Sequence, residues 1–284
     1  MYTFSDFGLC CGSLAGADFV TLAESASGAG FRSITLWPTL FEEALAGGLT
    51  PSDMRGVLEA NGLTVTELDP LCTWLPITTD PADIAARFYA YDEDIFFRMA
   101  GELGARSLNV IQATNDPLDR SVVVDALGSL CDRASKHGLL VSVEFMPWSP
   151  IGSLAEALSL VGAVARDDVG VNLDTWHHFR SGGSIEELRL LDARSVAAIQ
   201  ISDVEAEPWE DPLRETALAR RLPGEGASDT AAVLAALHSA GVRVPLNVEV
   251  FSAELVDLPP QEACSRIAES VRNVTLERAG AAPG

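Results

Sequence analysis

The sequence predicts an α/β protein built as a single (β/α)8 TIM barrel. Three observations point there. Eight apolar runs of strand length recur along the chain, eight amphipathic helical patterns alternate with them in strict order, and 284 residues is the length that eight such units need. The runs are rich in Val, Ile and Leu with little polar alternation, as parallel strands covered on both faces are.

In order, strand 4–11 is followed by helix 18–29, strand 33–37 by helix 51–61, and strand 64–68 by a long helical pattern over 81–103. Strand 107–111 leads to helix 122–137, strand 139–145 to helix 154–165, and strand 169–173 to helix 184–191. Strand 197–201 precedes helix 229–240, and strand 245–251 precedes helix 260–278. Gly30, Gly62, Gly104, Gly138 and Gly241 sit where a helix should stop before the next strand. One domain is expected over 1–278, with 279–284 as a loose tail. A doubly wound sheet is the fallback topology, but no Gly-x-Gly-x-x-Gly follows the first strand.

Composition removes several functions. Lys and Arg number 19 against 41 Asp and Glu, a net charge of −22, which opposes binding to nucleic acid or to anionic lipid. No apolar run approaches the ~18–20 residues that span a bilayer, and the first residues, Met1-Tyr2-Thr3-Phe4-Ser5-Asp6, lack a signal-peptide pattern. Cys10, Cys11, Cys72, Cys131 and Cys264 are too scattered for a disulfide framework, and no Cys-x-x-Cys occurs. A cytoplasmic protein is expected, with a small-molecule partner and neither nucleic acid nor membrane. The single lysine, Lys136, lies at a helix end and reads as a cation near a helix C-terminus rather than a Schiff-base residue.

In a barrel of this kind the chemistry lies at the C-terminal ends of the strands. There the fifth strand carries Glu144, the sixth Asp174, the seventh Gln200 and the eighth Glu249. Buried acids are rarely tolerated unless paired or bound to metal, and three on one mouth repel one another. A divalent cation relieves that repulsion. Oxygen donors from Glu144, Asp174, Gln200 and Glu249 favour a hard ion, Mn²⁺ or Mg²⁺, with Co²⁺ as a further option. His177, three residues after Asp174, suits hydrogen bonding to substrate; His137 and His238 lie near helix ends away from the mouth. Glu67, Asp69 and Asp203 stand near strand ends as supporting groups, and Asn109 and Gln112 close the fourth strand within reach of substrate hydroxyls. Trp37, Trp74, Trp148, Trp176 and Trp209 all follow a strand on the catalytic side, which suggests a mouth for a ring-bearing substrate. A phosphorylated substrate is disfavoured, because the turn 222–226 carries an acid and no glycine nest follows the eighth strand; Arg180, Arg214, Arg220 and Arg221 keep it open.

At these residues the sequence resembles the sugar phosphate isomerase/epimerase group of the xylose isomerase-like barrels, with its ketose 3-epimerases, inosose dehydratases and hydroxypyruvate isomerases. The carriers are Glu144, the Asp-x-x-His of 174–177, the Pro-Gly-Glu-Gly of 223–226, and Glu249. The resemblance implies Glu144 and Glu249 as an acid/base pair and as metal ligands, Asp174 as a ligand, and His177 as substrate-binding. It departs at strand seven, where the group has His-x-x-Asp and this chain has Gln200-Ile201-Ser202-Asp203. Members often form dimers or tetramers, so a homo-oligomer is a possibility the resemblance raises. The expected activity is a divalent-metal-dependent isomerase or epimerase of a sugar-like hydroxyketone, working through an enediolate. The alternative is a lyase or dehydratase performing β-elimination at the same site, as in inosose dehydratase or C-glycoside deglycosidase. A non-catalytic binding subunit is the third reading.

Overall fold

Eight parallel strands close on one another in chain order: β1 (Phe7–Leu9), β2 (Ser33–Leu36), β3 (Thr64–Leu71), β4 (Ser107–Ile111), β5 (Leu140–Glu144), β6 (Val169–Asp174), β7 (Val196–Ile201) and β8 (Leu246–Val248). The last seam pairs Phe7 with Leu246, Gly8 with Asn247 and Leu9 with Val248. This computed structural model describes residues 1–276. The expected tail 279–284 and the end of the last expected helix lie outside the described residues. All eight expected strands are present. β1 and β8 are shorter than their apolar runs, and β3 extends to Leu71 through a register shift after Leu68.

The outer ring consists of α1 (Phe19–Ala29), α2 (Pro38–Ala46), α3 (Pro51–Ala60), α4 (Asp83–Ala86), α5 (Glu93–Leu103), α6 (Arg120–Ala134) and α7 (Leu154–Val164). It continues with α8 (Thr175–Arg180), α9 (Ile185–Arg189), α10 (Pro212–Leu218), α11 (Thr230–Ser239), α12 (Ala253–Val256) and α13 (Pro260–Leu276). Local chemistry sets the ends. Asp18 caps α1 by accepting from Thr21 N at 2.7 Å, and Gly30 ends it in a left-handed conformation, φ 101°, that a Cβ would strain. The pattern 81–103 is not one helix. A 3-10 turn over Arg87–Ala90 interrupts it, and Asp92 starts α5 afresh by capping Asp94 N. The short α2, α8, α10 and α12 lie in the segments after strands two, six, seven and eight, where the periodicity is too brief to read; α2 and α10 each begin on a proline at the first turn.

Strand residues alternate between two environments. Ile34, Leu36, Val141, Val143, Val171, Leu173, Ile199 and Ile201 belong to the main apolar core, which lies between strands and helices. The barrel axis is polar instead. Glu67 accepts from Ser107 Oγ (3.1 Å), Ser142 Oγ (2.9 Å) and Asn172 Nδ2 (3.2 Å), tying four strands together across the interior. Arg106 crosses beneath them to donate to the Ala197 carbonyl at 2.9 Å. Among the described residues no helix is long and apolar enough to cross a membrane.

Candidate active site

A cavity of about 620 Å³ opens at the C-terminal end of the barrel, and every strand contributes to its wall. Cys11, Trp37, Asp69, Ile111, Glu144, His177, Arg220 and Glu249 come in turn from the ends of β1 to β8 or the segments that follow them.

The Asp-x-x-His spacing is a helix cap. Asp174 ends β6 and starts α8, its Oδ1 accepting from His177 N at 2.9 Å, which turns the imidazole into the mouth. That leaves Oδ2 free, and Arg220 Nη1 donates to it at 2.6 Å. The same Nη1 lies 3.1 Å from Glu249 Oε2, and Nη2 is 3.4 Å from His177 Nε2. Glu249 Oε1 accepts from Gln200 Nε2 and from Cys10 Sγ, both at 3.2 Å. On the opposite side, His177 Nε2 stands 3.3 Å from Glu144 Oε1. Asn109 Nδ2 donates to Glu144 Oε2 (2.6 Å) and to Asp69 Oδ1 (2.8 Å), and Trp37 Nε1 donates to Asp69 Oδ2 (3.2 Å).

Arg220 belongs to no strand, yet the loop delivers it to the centre. Asp203 and Arg221 exchange backbone hydrogen bonds of 2.8 and 2.9 Å, and the Asp203 carboxylate accepts from Val204 N, Gly224 N, Ser228 N and Oγ, and Thr230 Oγ1. The Pro-Gly-Glu-Gly turn is folded around this carboxylate. A Cβ on Gly226 would meet the Val204 carbonyl oxygen at 2.4 Å, so glycine is required for the close approach.

Glu67, Asp69, Glu144, Asp174 and Glu249 are all buried, and Arg220 is the guanidinium buried among them. Burial pushes Glu144 up to about 8, the Asp174 charge adding to it, and pushes Asp69 up to about 7 with help from Glu144. Glu249 is raised well above the usual carboxyl range by burial and by Cys10, against the pull of Arg220. Burial works the same way on Asp174, but Arg220, His177 and their hydrogen bonds outweigh it and hold this carboxyl low. Burial brings His177 down to about 4, so its ring is neutral at neutral pH.

Two groups of side chains could each hold a divalent cation. Ligand atoms of Glu144, Asp174 and His177 lie within 4.8 Å of one another, as do those of Cys10, Asp69 and Glu249, so the expected ligands Glu144 and Asp174 gather with His177 while Glu249 gathers with a different set. Gln200 Oε1 is a buried acceptor with no protein donor.

Of the residues expected at the site, Glu144, Glu249, His177, Trp37 and Trp148 line the cavity, while Asn109, Asp174 and Gln200 are buried against them. Trp74 and Trp176 do not reach it. Trp74 Nε1 is turned to the Ile111 carbonyl at 2.9 Å, and Trp176 is fully buried behind His177, its ring edge-on at 5.1 Å. Trp209 is exposed on the loop before α10. Gln112 donates to Asp116 O at 2.8 Å, within its own loop. Arg180 pairs with Glu215, and Arg221 with Glu205 and Glu254. The central role of Arg220 was not legible, because the residue stands 19 positions beyond the end of β7. The turn motif directly after it was the one available signal.

A closed eight-stranded parallel barrel with acids gathered at its C-terminal mouth defines the structural class. The chain belongs to the xylose isomerase-like TIM barrel family, whose model matches residues 23–274. Among named relatives, it is 34% identical to the inosose isomerase of Bacillus subtilis (strain 168) over 142 residues, covering 49% of this chain and 50% of that protein. It is 28% identical over 135 residues to the 3-dehydroshikimate dehydratase of Pseudomonas putida (strain KT2440), 47% of this chain and 21% of that protein. The chain thus matches about half the length of the inosose isomerases. The crystal structure of the IolI protein with a bound zinc atom superposes with a TM-score of 0.83 at 20% identity, over 95% of this chain and 98% of that one.

Proposed function

We propose that the protein is an isomerase or epimerase of a non-phosphorylated, sugar-like hydroxyketone, with Glu144 and Glu249 as its two proton-transfer groups. The observation that carries this reading is the placement of the two carboxyls. They come from β5 and from just after β8, they face one cavity, and burial lifts both above the ordinary carboxyl range, the direction in which a carboxyl holds a proton that it can pass on.

Glu144, Asp174, Glu249 and the Gln200 carbonyl are the proposed holders of a divalent ion. The relative with zinc supports a divalent ion in general, and an amide oxygen at strand seven favours Mn²⁺ or Mg²⁺ here. When bound, such an ion polarises the ketone and its neighbouring hydroxyl and so acidifies the α-carbon proton. One glutamate takes that proton, leaving an enediolate. The other returns a proton, to the opposite face for epimerisation or to the adjacent carbon for isomerisation. Arg220 fixes Asp174 and Glu249 relative to each other, and neutral His177 offers a hydrogen bond to a substrate oxygen. The arginines support a substrate without phosphate: Arg180 and Arg221 are engaged by acids, Arg220 by Asp174 and Glu249, and Arg214 does not line the cavity, which leaves Arg87 as the exposed guanidinium on its wall.

The test is exchange of the α-hydrogen of an inosose in D2O, followed by NMR. Exchange by the wild type, with net conversion lost in both Glu144→Gln and Glu249→Gln, supports two-base transfer; wild-type turnover in either variant ends it. The dehydratase relatives favour a second reading, in which removal of the same proton is followed by loss of a β-hydroxyl as water. Product mass separates the two, because an isomerase conserves it and a dehydratase loses water.

A further inference from the structure

The cavity has two chemically distinct halves. Its floor carries Asp69, Glu144, His177, Arg220 and Glu249. On the β2–β5 side of the same cavity a second apolar cluster, separate from the barrel core, joins Phe88, Met146 and Ile111, with Trp37 and Trp148 packed against it. Trp37 meets Phe88 edge-on at 5.1 Å, and the exposed Arg87 guanidinium stacks over both rings at 4.9 and 4.7 Å. Trp37 and Trp148 remain partly exposed on the cavity.

Size decides what this wall is for. Even at the ~30 Å³ that one liquid water occupies, the twelve non-hydrogen atoms of a six-carbon cyclic polyol fill no more than roughly 360 Å³. The cavity holds about 620 Å³. A polyol seated on the acidic floor satisfies the hydrogen-bonding groups there and leaves much of the apolar wall facing water. An aromatic ring removes that surface from water and stacks with the indoles.

We propose that this apolar wall is a subsite for an aromatic substituent carried on the sugar-like ring, so that the substrate is an aryl-substituted polyol ketone. The proposal rests on the reading that the floor holds the sugar-like ring, and it concerns binding alone. Its test compares 4-nitrophenyl β-D-glucopyranoside with methyl β-D-glucopyranoside on the purified protein by isothermal titration calorimetry. The nitrophenyl compound is expected to bind at least tenfold more tightly, and Phe88→Ala and Trp148→Ala are each expected to erase most of that preference. Equal affinities, no saturable binding of the nitrophenyl compound, or an unchanged preference in both variants would overturn it. If a variant does not fold, the wild-type ratio alone decides. Loss of α-hydrogen exchange with an intact nitrophenyl preference would remove the proposed reaction and leave the subsite standing.

Discussion

Asp174 and the carboxyls of β3–β5, all buried inside the same barrel, are held in opposite ways. On the β6–β8 side, Asp174 has Arg220 at 2.6 Å and is held below its ordinary value. On the β3–β5 side, Asp69, Glu67 and Glu144 are as deeply buried but are met by Asn109, Trp37, Ser107 and Ser142, which are neutral, and their values rise to about 7, 8 and 8. Neutral donors orient a carboxylate without balancing its charge; a guanidinium does both. The difference shows where the site is already compensated and where it is short of positive charge. Asp174 alone is balanced; Glu249, although Arg220 lies 3.1 Å from it, is raised like Glu144, so a divalent ion or shared protons are needed at these two glutamates.

The largest effect is expected from removing the compensation. Arg220→Met leaves Asp174 and Glu249 buried without their cation and should destabilise the fold by about 3–5 kcal/mol in urea denaturation at neutral pH. Asp174 is a group held low, so its share of this stability is present above its ordinary value of 3.8 and disappears as pH falls through its folded value. The gap between variant and wild type should therefore narrow in acid. Next comes Glu249→Gln, expected to keep the fold and to slow net turnover by at least about a hundredfold.

Glu67→Gln probes the uncompensated side. A carboxyl raised from 4.5 to about 8 keeps its proton longer when folded, so wild-type stability should fall as pH rises between those values. Glutamine has no proton to lose there. The variant should flatten the decline by on the order of 2 kcal/mol, read as denaturation midpoints from pH 5 to pH 8. The smallest change is expected from Gln200→His, which puts imidazole at the strand-seven position. If residue 200 holds a divalent ion, Mn²⁺ or Zn²⁺ affinity should tighten by about tenfold in calorimetry; unchanged affinity places Gln200 outside the ligand set.

Much of this arrangement was legible. Apolar runs located all eight strands because each strand buries its outer face under helices, and Gly30, Gly62, Gly104, Gly138 and Gly241 marked turns that all adopt positive φ. Glu144, Asp174 and Glu249 stood out as acids at strand ends. Arg220 did not, because loop geometry rather than strand position carries it inward. Trp176 was misplaced for a related reason. It follows β6 directly, but Asp174 starts a helix there, and one residue further round that helix is the difference between lining the mouth and lying beneath it. The helical pattern 81–103 hid a break because its apolar residues continue through it while Asp92 restarts the backbone.

The Asp203 carboxylate gathers five donors from segments spread over 204–230. That makes the stretch a cassette, with one anion as its clasp and Arg220 as its cargo. A chimaera that swaps only the residues around 220 would separate clasp from cargo. Transplanting this arm between barrels requires moving Asp203 through Thr230 as one piece, with both turn glycines.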